Sequence, residues 1–278
     1  CDAFAIEQLP GRARGWGNVM QVGGAYLGVM LGGGAFLILV GRTGWSVAML
    51  TLAALLALLT LPLFLTREPM GDAARQAAHR PSLLHALRRP AFRAGLGAVV
   101  LAQVGLRLGH AMLAPFLVDR GFDLETLGWL TGIGGTLAGL AGTVVAASFI
   151  ARRSAARLLA AAVAGQGLMF LMLGAVALAP GLPREAAGAM AVLLGFVIGA
   201  SFVLLYTAMM GWAAGPQPGV DFTLLQSADA TIAALAGVAA GALAQAFGPA
   251  ACFLLAALLA LTLSRLLPRL TQRAEIMS

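Results

Sequence analysis

The sequence predicts an all-α integral membrane protein, and three observations carry that prediction. Its 278 residues are 60% hydrophobic and 10% charged, with a mean hydropathy of +0.91, far from the usage of a water-soluble domain. Apolar runs recur at about the 20 residues that a hydrocarbon core of ~30 Å demands of a helix. They are continuous rather than alternating, which separates them from the strands of a membrane barrel.

Eight spans follow, at 18–40, 45–65, 94–118, 127–150, 155–179, 185–213, 222–247 and 249–267. The net charge of +7 comes from arginines distributed between spans rather than gathered on one face, which removes nucleic acid as a partner. Arg12 and Arg14, then Arg67, Arg75, Arg80, Arg88, Arg89 and Arg93, then Arg152, Arg153 and Arg157, then Arg265, Arg269 and Arg273 fall on one side. Only Arg42, Arg120 and Arg184 fall on the other. By the positive-inside rule the first side, which includes the C-terminus, is cytoplasmic. Cys1 and Cys252 are too few for a disulfide framework or a thiolate metal site, and no cofactor or metal is implied.

The polar stretch 66–93 carries Pro69, Pro81, Pro90, six arginines, His79 and His85. It reads as a cytoplasmic linker, with a short amphipathic helix at 83–87 on the membrane surface. Three regions result: 1–65, the remainder of a first bundle; the linker, 66–93; and 94–278, a second bundle of six spans. RGWGNVMQ (Arg14 to Gln21) opens the first span and GVDFTLLQ (Gly219 to Gln226) the seventh, each with a polar fifth residue and Gln at the eighth. A six-span offset is what a duplicated six-helix unit produces. These spans are then helices 5 and 11 of a 6+6 architecture. CDAFAIEQLP reads as the end of helix 4, so that the chain is expected to be truncated before it.

Glycines recur at helical spacing in three places: Gly24, Gly28 and Gly32; Gly128, Gly132, Gly135 and Gly139; Gly237 and Gly241. This is the pattern that lets membrane helices approach closely. GIGGTLAG (Gly132 to Gly139) is a dinucleotide fingerprint only superficially, since no strand precedes it.

The residues that could carry chemistry are few. Gln103, Arg107 and His110 fall within an arc of about 60° on one helix face. A charge at mid-bilayer costs roughly 2.5–3.5 kcal/mol on insertion scales, so that face is expected to line a hydrated cavity. Pro115, two turns on, is expected to kink the helix. Asp229 is the acidic residue deepest in a complete span, and Thr223, Gln226 and Ala233 share its side. Arg107 lies about 21 Å beyond Arg93 and Asp229 about 12 Å beyond Asp221, which leaves their pairing open. Gln21, Asn18 and Tyr26 on helix 5 and Tyr206 on helix 10 are further candidates. Asp2 falls inside the membrane if the first residues are helical, and Glu7 falls at its boundary beside Arg12 and Arg14. No HExxH, nucleophile elbow or paired carboxylates at metal-binding spacing occur, so an enzyme is not expected.

DAFAIEQLPGRARGWGNVMQVGGAYLGVMLGGG (Asp2 to Gly34) resembles the helix 4 to helix 5 region of major facilitator permeases, in the branch of the AmpG muropeptide permeases and the RhtX/FptX siderophore permeases. RLGHAMLAPFLVDRGFDLETLGWLTG (Arg107 to Gly132) is similar to the helix 7 to helix 8 junction of that branch, and DFTLLQS (Asp221 to Ser227) to the start of its helix 11. RGWGNVMQVGG (Arg14 to Gly24) and LGGGAFLILVGRTGW (Leu31 to Trp45) lean toward the siderophore group. The resemblance implies a major facilitator 6+6 bundle and a monomeric secondary transporter in the bacterial inner membrane. It implies import of a ferric siderophore or related small anionic chelate, coupled to protons; the alternative is a muropeptide or another amide-rich anion. A basic residue often stands at the position of Arg107 in that branch, whereas the family tyrosine near Ala25 is displaced here to Tyr26. On this reading Arg107, with Gln103 and His110, binds anionic oxygens of the cargo, because a guanidinium fork suits such acceptors. Gln21, Tyr26, Gln226 and Tyr206 line the same cavity. Asp229 carries the coupling proton, with Asp2 as a second candidate.

Overall fold

The computed structural model describes residues 24–65, 82–150, 154–179, 181–213 and 217–277. They form the helices α1 (Gly24–Thr43), α2 (Trp45–Leu65), α3 (Leu83–Arg88), α4 (Pro90–Asp119), α5 (Leu124–Phe149) and α6 (Ala155–Leu178). α7 (Arg184–Trp212), α8 (Pro218–Phe247), α9 (Pro249–Ser264) and α10 (Leu267–Met277) follow. Seven are long and apolar enough to cross a membrane, or eight if the bent pair α9–α10 counts as one span. No strand occurs among the described residues. The architecture is that of a multi-pass helical membrane bundle.

Several helices begin or end away from the expected bounds, each for a local reason. α4 starts at Pro90 and α8 at Pro218 rather than at 94 and 222. In both, proline occupies the first turn, where its missing N–H has no intrahelical role and its fixed φ suits the helix. Arg93 and Asp221 thus belong to helical first turns instead of the loops before them. α4 then runs through Pro115 to Asp119 as one continuous helix. Only the last turn lies beyond the proline, so little of the hydrogen-bond ladder is disturbed. α1 extends past 40 to Thr43, whose hydroxyl donates to the Leu39 carbonyl at 2.8 Å. The last span is not straight: α10 departs from α9 by 50° and continues to Met277. Its composition explains the bend, since Leu267, Thr271 and Ala274 are buried on one side while Arg269, Gln272 and Arg273 are exposed on the other.

The turns between α1 and α2 and between α8 and α9 are alike. Gly44 has φ 83° and ψ 169°, and Gly248 has φ 80° and ψ 169°. This region is open essentially to glycine alone. Each glycine N–H closes on the carbonyl four residues back, Val40 and Ala244.

Lipid offers no hydrophobic drive for helix association, so close van der Waals packing has to hold the spans together. α4 presents Gly109 to the Phe170 ring of α6 and Gly105 to the Ala256 carbonyl of α9. Phe116 meets Phe253 edge to face, with ring centroids 5.2 Å apart. At the arginine-rich end, Trp212 is fully buried above Gly95, alongside Phe92, Leu159, Leu225 and Leu267. α5 and α7 touch backbone to backbone, Gly142 against the Phe196 carbonyl and Gly199 against that of Gly139.

α1 lies along α5. Both carry π-helical segments there, Met30–Ala35 and Gly128–Gly134, and Gly34 packs on Gly132 within them. The glycine stripes therefore divide. Gly128, Gly132 and Gly139 pack as expected, whereas Gly24, Gly28, Gly32, Gly237 and Gly241 meet nothing within 4 Å among the described residues.

Candidate functional site

Arg107 and Asp229 both stand in the middle third of their helices, α4 and α8. The structure joins them. Arg107 donates Nε–H to Asp229 Oδ1 at 2.9 Å and Nη2–H to Asp229 Oδ2, a two-pronged fork on a carboxylate. Both side chains keep some access, with 32% and 14% of their surface exposed, so the pair is not sealed in the core. The length of the arginine stem lets it bridge the depth difference estimated from residue counts.

The other residues of the expected Arg107 face separate. His110 is exposed, but Gln103 is buried at 5% relative exposure. Gln103 therefore does not belong to the accessible polar surface, because helix packing turns it inward. Thr223 is spent on its own helix, donating to the Gly219 carbonyl at 2.8 Å.

Gln226, one turn from Asp229, donates Nε2–H to the Tyr206 hydroxyl of α7 at 3.0 Å, so two candidates chosen independently meet. Phe222 and Phe202 extend this contact: Tyr206 packs edge to face on Phe222 at 4.9 Å and against Phe202 at 5.2 Å. Neither phenylalanine stands out in the sequence as a site residue. Their spacing, four residues before Tyr206 and four before Gln226, was the available signal, but it does not distinguish such rings from lipid-facing ones.

Tyr26 goes elsewhere. Its hydroxyl pairs with Thr143 Oγ1 at 2.7 Å, on the seam between α1 and α5, and Thr143 is within 3.1 Å of the Gly199 carbonyl. The far end of that seam holds the ion pair of Arg42 with Glu125. Gln21, Asn18, Asp2 and Glu7, with the segment taken as the end of helix 4, lie outside the described residues, as does His79.

A second polar cluster sits where α4 and α8 begin. Asp221 is fully buried, pairs with Arg89 and accepts from Gln217 Nε2 at 3.0 Å. The Gln217 carboxamide also takes both backbone groups of Ser82, accepting from its N–H at 2.9 Å and donating to its carbonyl at 2.8 Å. Ser82, just before α3, is thus stitched to the N-cap of α8. A third polar contact, from Gln166 to the Ser201 hydroxyl, links α6 and α7. Gln166 Oε1 and Trp212 Nε1 are the buried side-chain atoms without a partner among the described residues.

Outside the spans, Asp123 caps α5 by accepting the Thr126 N–H at 2.7 Å, and this bond holds its carboxyl below the usual aspartate range. Arg120 donates to the Val176 carbonyl, covering the C-terminus of α6, and Arg184 donates to the Gly121 carbonyl at 3.0 Å. These two arginines have structural partners. No family model matches the chain, and no solved structure matches it.

Proposed function

We propose that the protein is a secondary active transporter of the major facilitator type, importing a small anionic solute across the bacterial inner membrane. The observation that carries this reading is the Arg107–Asp229 fork, a charge pair placed mid-helix in two apolar spans and left partly accessible. Intramembrane charges are expensive and mark pathways for ions or substrates more often than they stabilise. Two of the five N–H groups of Arg107 engage Asp229, so among the described residues the remaining edge of the guanidinium is open to an anionic oxygen. Protonation of Asp229 would release the whole fork to the cargo, which couples an anion to a proton in one step.

The matched glycine turns support the 6+6 arrangement. Gly44 and Gly248 hold the same unusual conformation six spans apart, the interval at which RGWGNVMQ and GVDFTLLQ recur. The cytoplasmic side is then the side of Arg89 and Arg265, as the positive-inside rule requires. The cargo we propose is a ferric siderophore or a similar chelate.

Uptake of radiolabelled ferric siderophore by energised cells expressing the full-length protein tests it. Protonophore-sensitive accumulation that vanishes in Arg107→Ala, with membrane insertion intact, is expected. Accumulation of a labelled muropeptide instead would move the substrate to an amide-rich anion and keep the mechanism. Accumulation of neither, or uptake untouched by Arg107→Ala, overturns the reading.

A further inference from the structure

Four side chains of α7 and α8 form a unit that the ion pair does not use. Phe202 and Tyr206 lie one turn apart on α7, Phe222 of α8 meets the Tyr206 ring, and Gln226 bonds its hydroxyl. Phe202 is exposed and the other three are half-buried. A lipid-facing position would account for open rings. It does not account for a carboxamide bonded to a hydroxyl among them, because polar groups within a membrane span persist where they face protein or a water-filled cavity. Phe222, Gln226 and Asp229 follow at i, i+4 and i+7 on α8, so one edge of that helix leads from the rings to the ion pair. At ~1.5 Å per residue, the rings and Asp229 are separated by about 10 Å along that edge.

We infer that this unit is an aromatic subsite beside the ion pair, which receives a flat ring of the cargo while Arg107 receives its anionic group. The inference rests on the transport reading and narrows its substrate class. The cargo is an anion bearing an aryl group about 10 Å from its charge, with amide or hydroxyl groups between. Ring faces and edges of opposite polarity let an incoming aryl group dock offset on Phe202 or edge-on to Tyr206. A carboxamide both donates and accepts, so Gln226 can bond an amide of the cargo beside its existing contact.

Two probes separate the parts of this statement. N-benzoyltriglycine and N-acetyltriglycine carry the same carboxylate and peptide groups and differ in the ring. Equilibrium dialysis against the purified full-length protein in lipid nanodiscs is expected to give about tenfold tighter binding of the benzoyl probe. Tyr206→Ala should erase that preference, bringing the two probes to equal affinity, and Tyr206→Phe should retain most of it. If Tyr206→Ala does not fold, Phe202→Leu, at an exposed position, carries the same expectation with a smaller loss. Equal binding of both probes that still depends on Arg107 overturns the aromatic subsite and spares the transport reading. Preference for the benzoyl probe that survives the Tyr206 and Phe202 variants also overturns it. Failure of both probes to bind overturns the subsite together with the anion site.

Discussion

Arg107 and Asp229, 122 residues apart in the chain, are held by two parallel N–H···O bonds between α4 and α8. Removing one partner leaves the other charge in a poor solvent, whereas removing both leaves only a gap. Arg107→Ala and Asp229→Ala should each destabilise by less than the ~3–5 kcal/mol typical of a fully buried pair, since both groups keep some access. The double variant should recover part of that loss. A double-mutant cycle on thermal unfolding in detergent measures it, and additive effects would mean that the charges do not interact.

The stitch between Ser82 and Gln217 has a separate signature. Arg89→Ala strands the fully buried Asp221 carboxylate, and Gln217→Ala releases both backbone groups of Ser82. Limited proteolysis between residues 66 and 90 should accelerate in both variants. Unfolding should be affected more by Arg89→Ala, because an unpaired buried charge costs more than lost neutral hydrogen bonds.

Glycines of similar spacing should respond in opposite ways. A methyl group on Gly199 would meet the Gly139 carbonyl oxygen, backbone that cannot give way, while one on Gly237 meets nothing within 4 Å among the described residues. Gly199→Ala is expected to lower stability by about 1–3 kcal/mol as the α5–α7 contact is forced apart. Gly237→Ala should be neutral or gain up to about 1 kcal/mol of helix propensity. Thermal unfolding of the two purified variants checks the contrast.

If the protein works by alternating access, as the transport proposal has it, the α1–α5 seam has to change at one end. Arg42 and Glu125 close one end of it, and Gly34 packs on Gly132 further along. A cross-link between Arg42→Cys and Glu125→Cys should form readily under oxidant, arrest uptake, and release it on reduction. Unimpaired uptake in the cross-linked protein would show that this end does not open.

Asp123 supplies a pH dependence outside the membrane. The Thr126 N–H stabilises its charged form in the folded chain. The folded state thus binds the proton more weakly than the unfolded one, so the cap's contribution is complete above the ordinary aspartate pKa of about 4. It is lost as the pH falls through the lowered value of the folded state. Asp123→Asn keeps an acceptor for the cap and should abolish that part of the acid sensitivity in a melting series below pH 4.

How much was legible in advance depends on the distance over which each signal acts. The helices α4 to α8 were readable because a run of apolar residues needs only its own backbone bonds to satisfy lipid. Their exact starts were not, since Pro90 and Pro218 admit Arg93 and Asp221 into first turns that charge alone assigns to loops. Arg107 and Asp229 stood out because charge in an apolar span is conspicuous whatever surrounds it. Gln103, one turn from Arg107, looked equivalent on a helical wheel and proved buried, since a wheel gives the face and not the neighbour.

The chain's composition and periodicity by themselves determined that it is a membrane helix bundle, where its spans fall and which few residues are costly enough to need partners. Tertiary structure alone decided who those partners are: Asp229 for Arg107, Tyr206 for Gln226, Thr143 for Tyr26, and Arg89 with Gln217 for Asp221. The physical reason is one of range. Solvation by lipid acts on each residue separately and is written in the local sequence, whereas a hydrogen bond or an ion pair depends on a few ångströms between helices. Those distances are set by where glycines such as Gly105, Gly109 and Gly199 let the backbones meet.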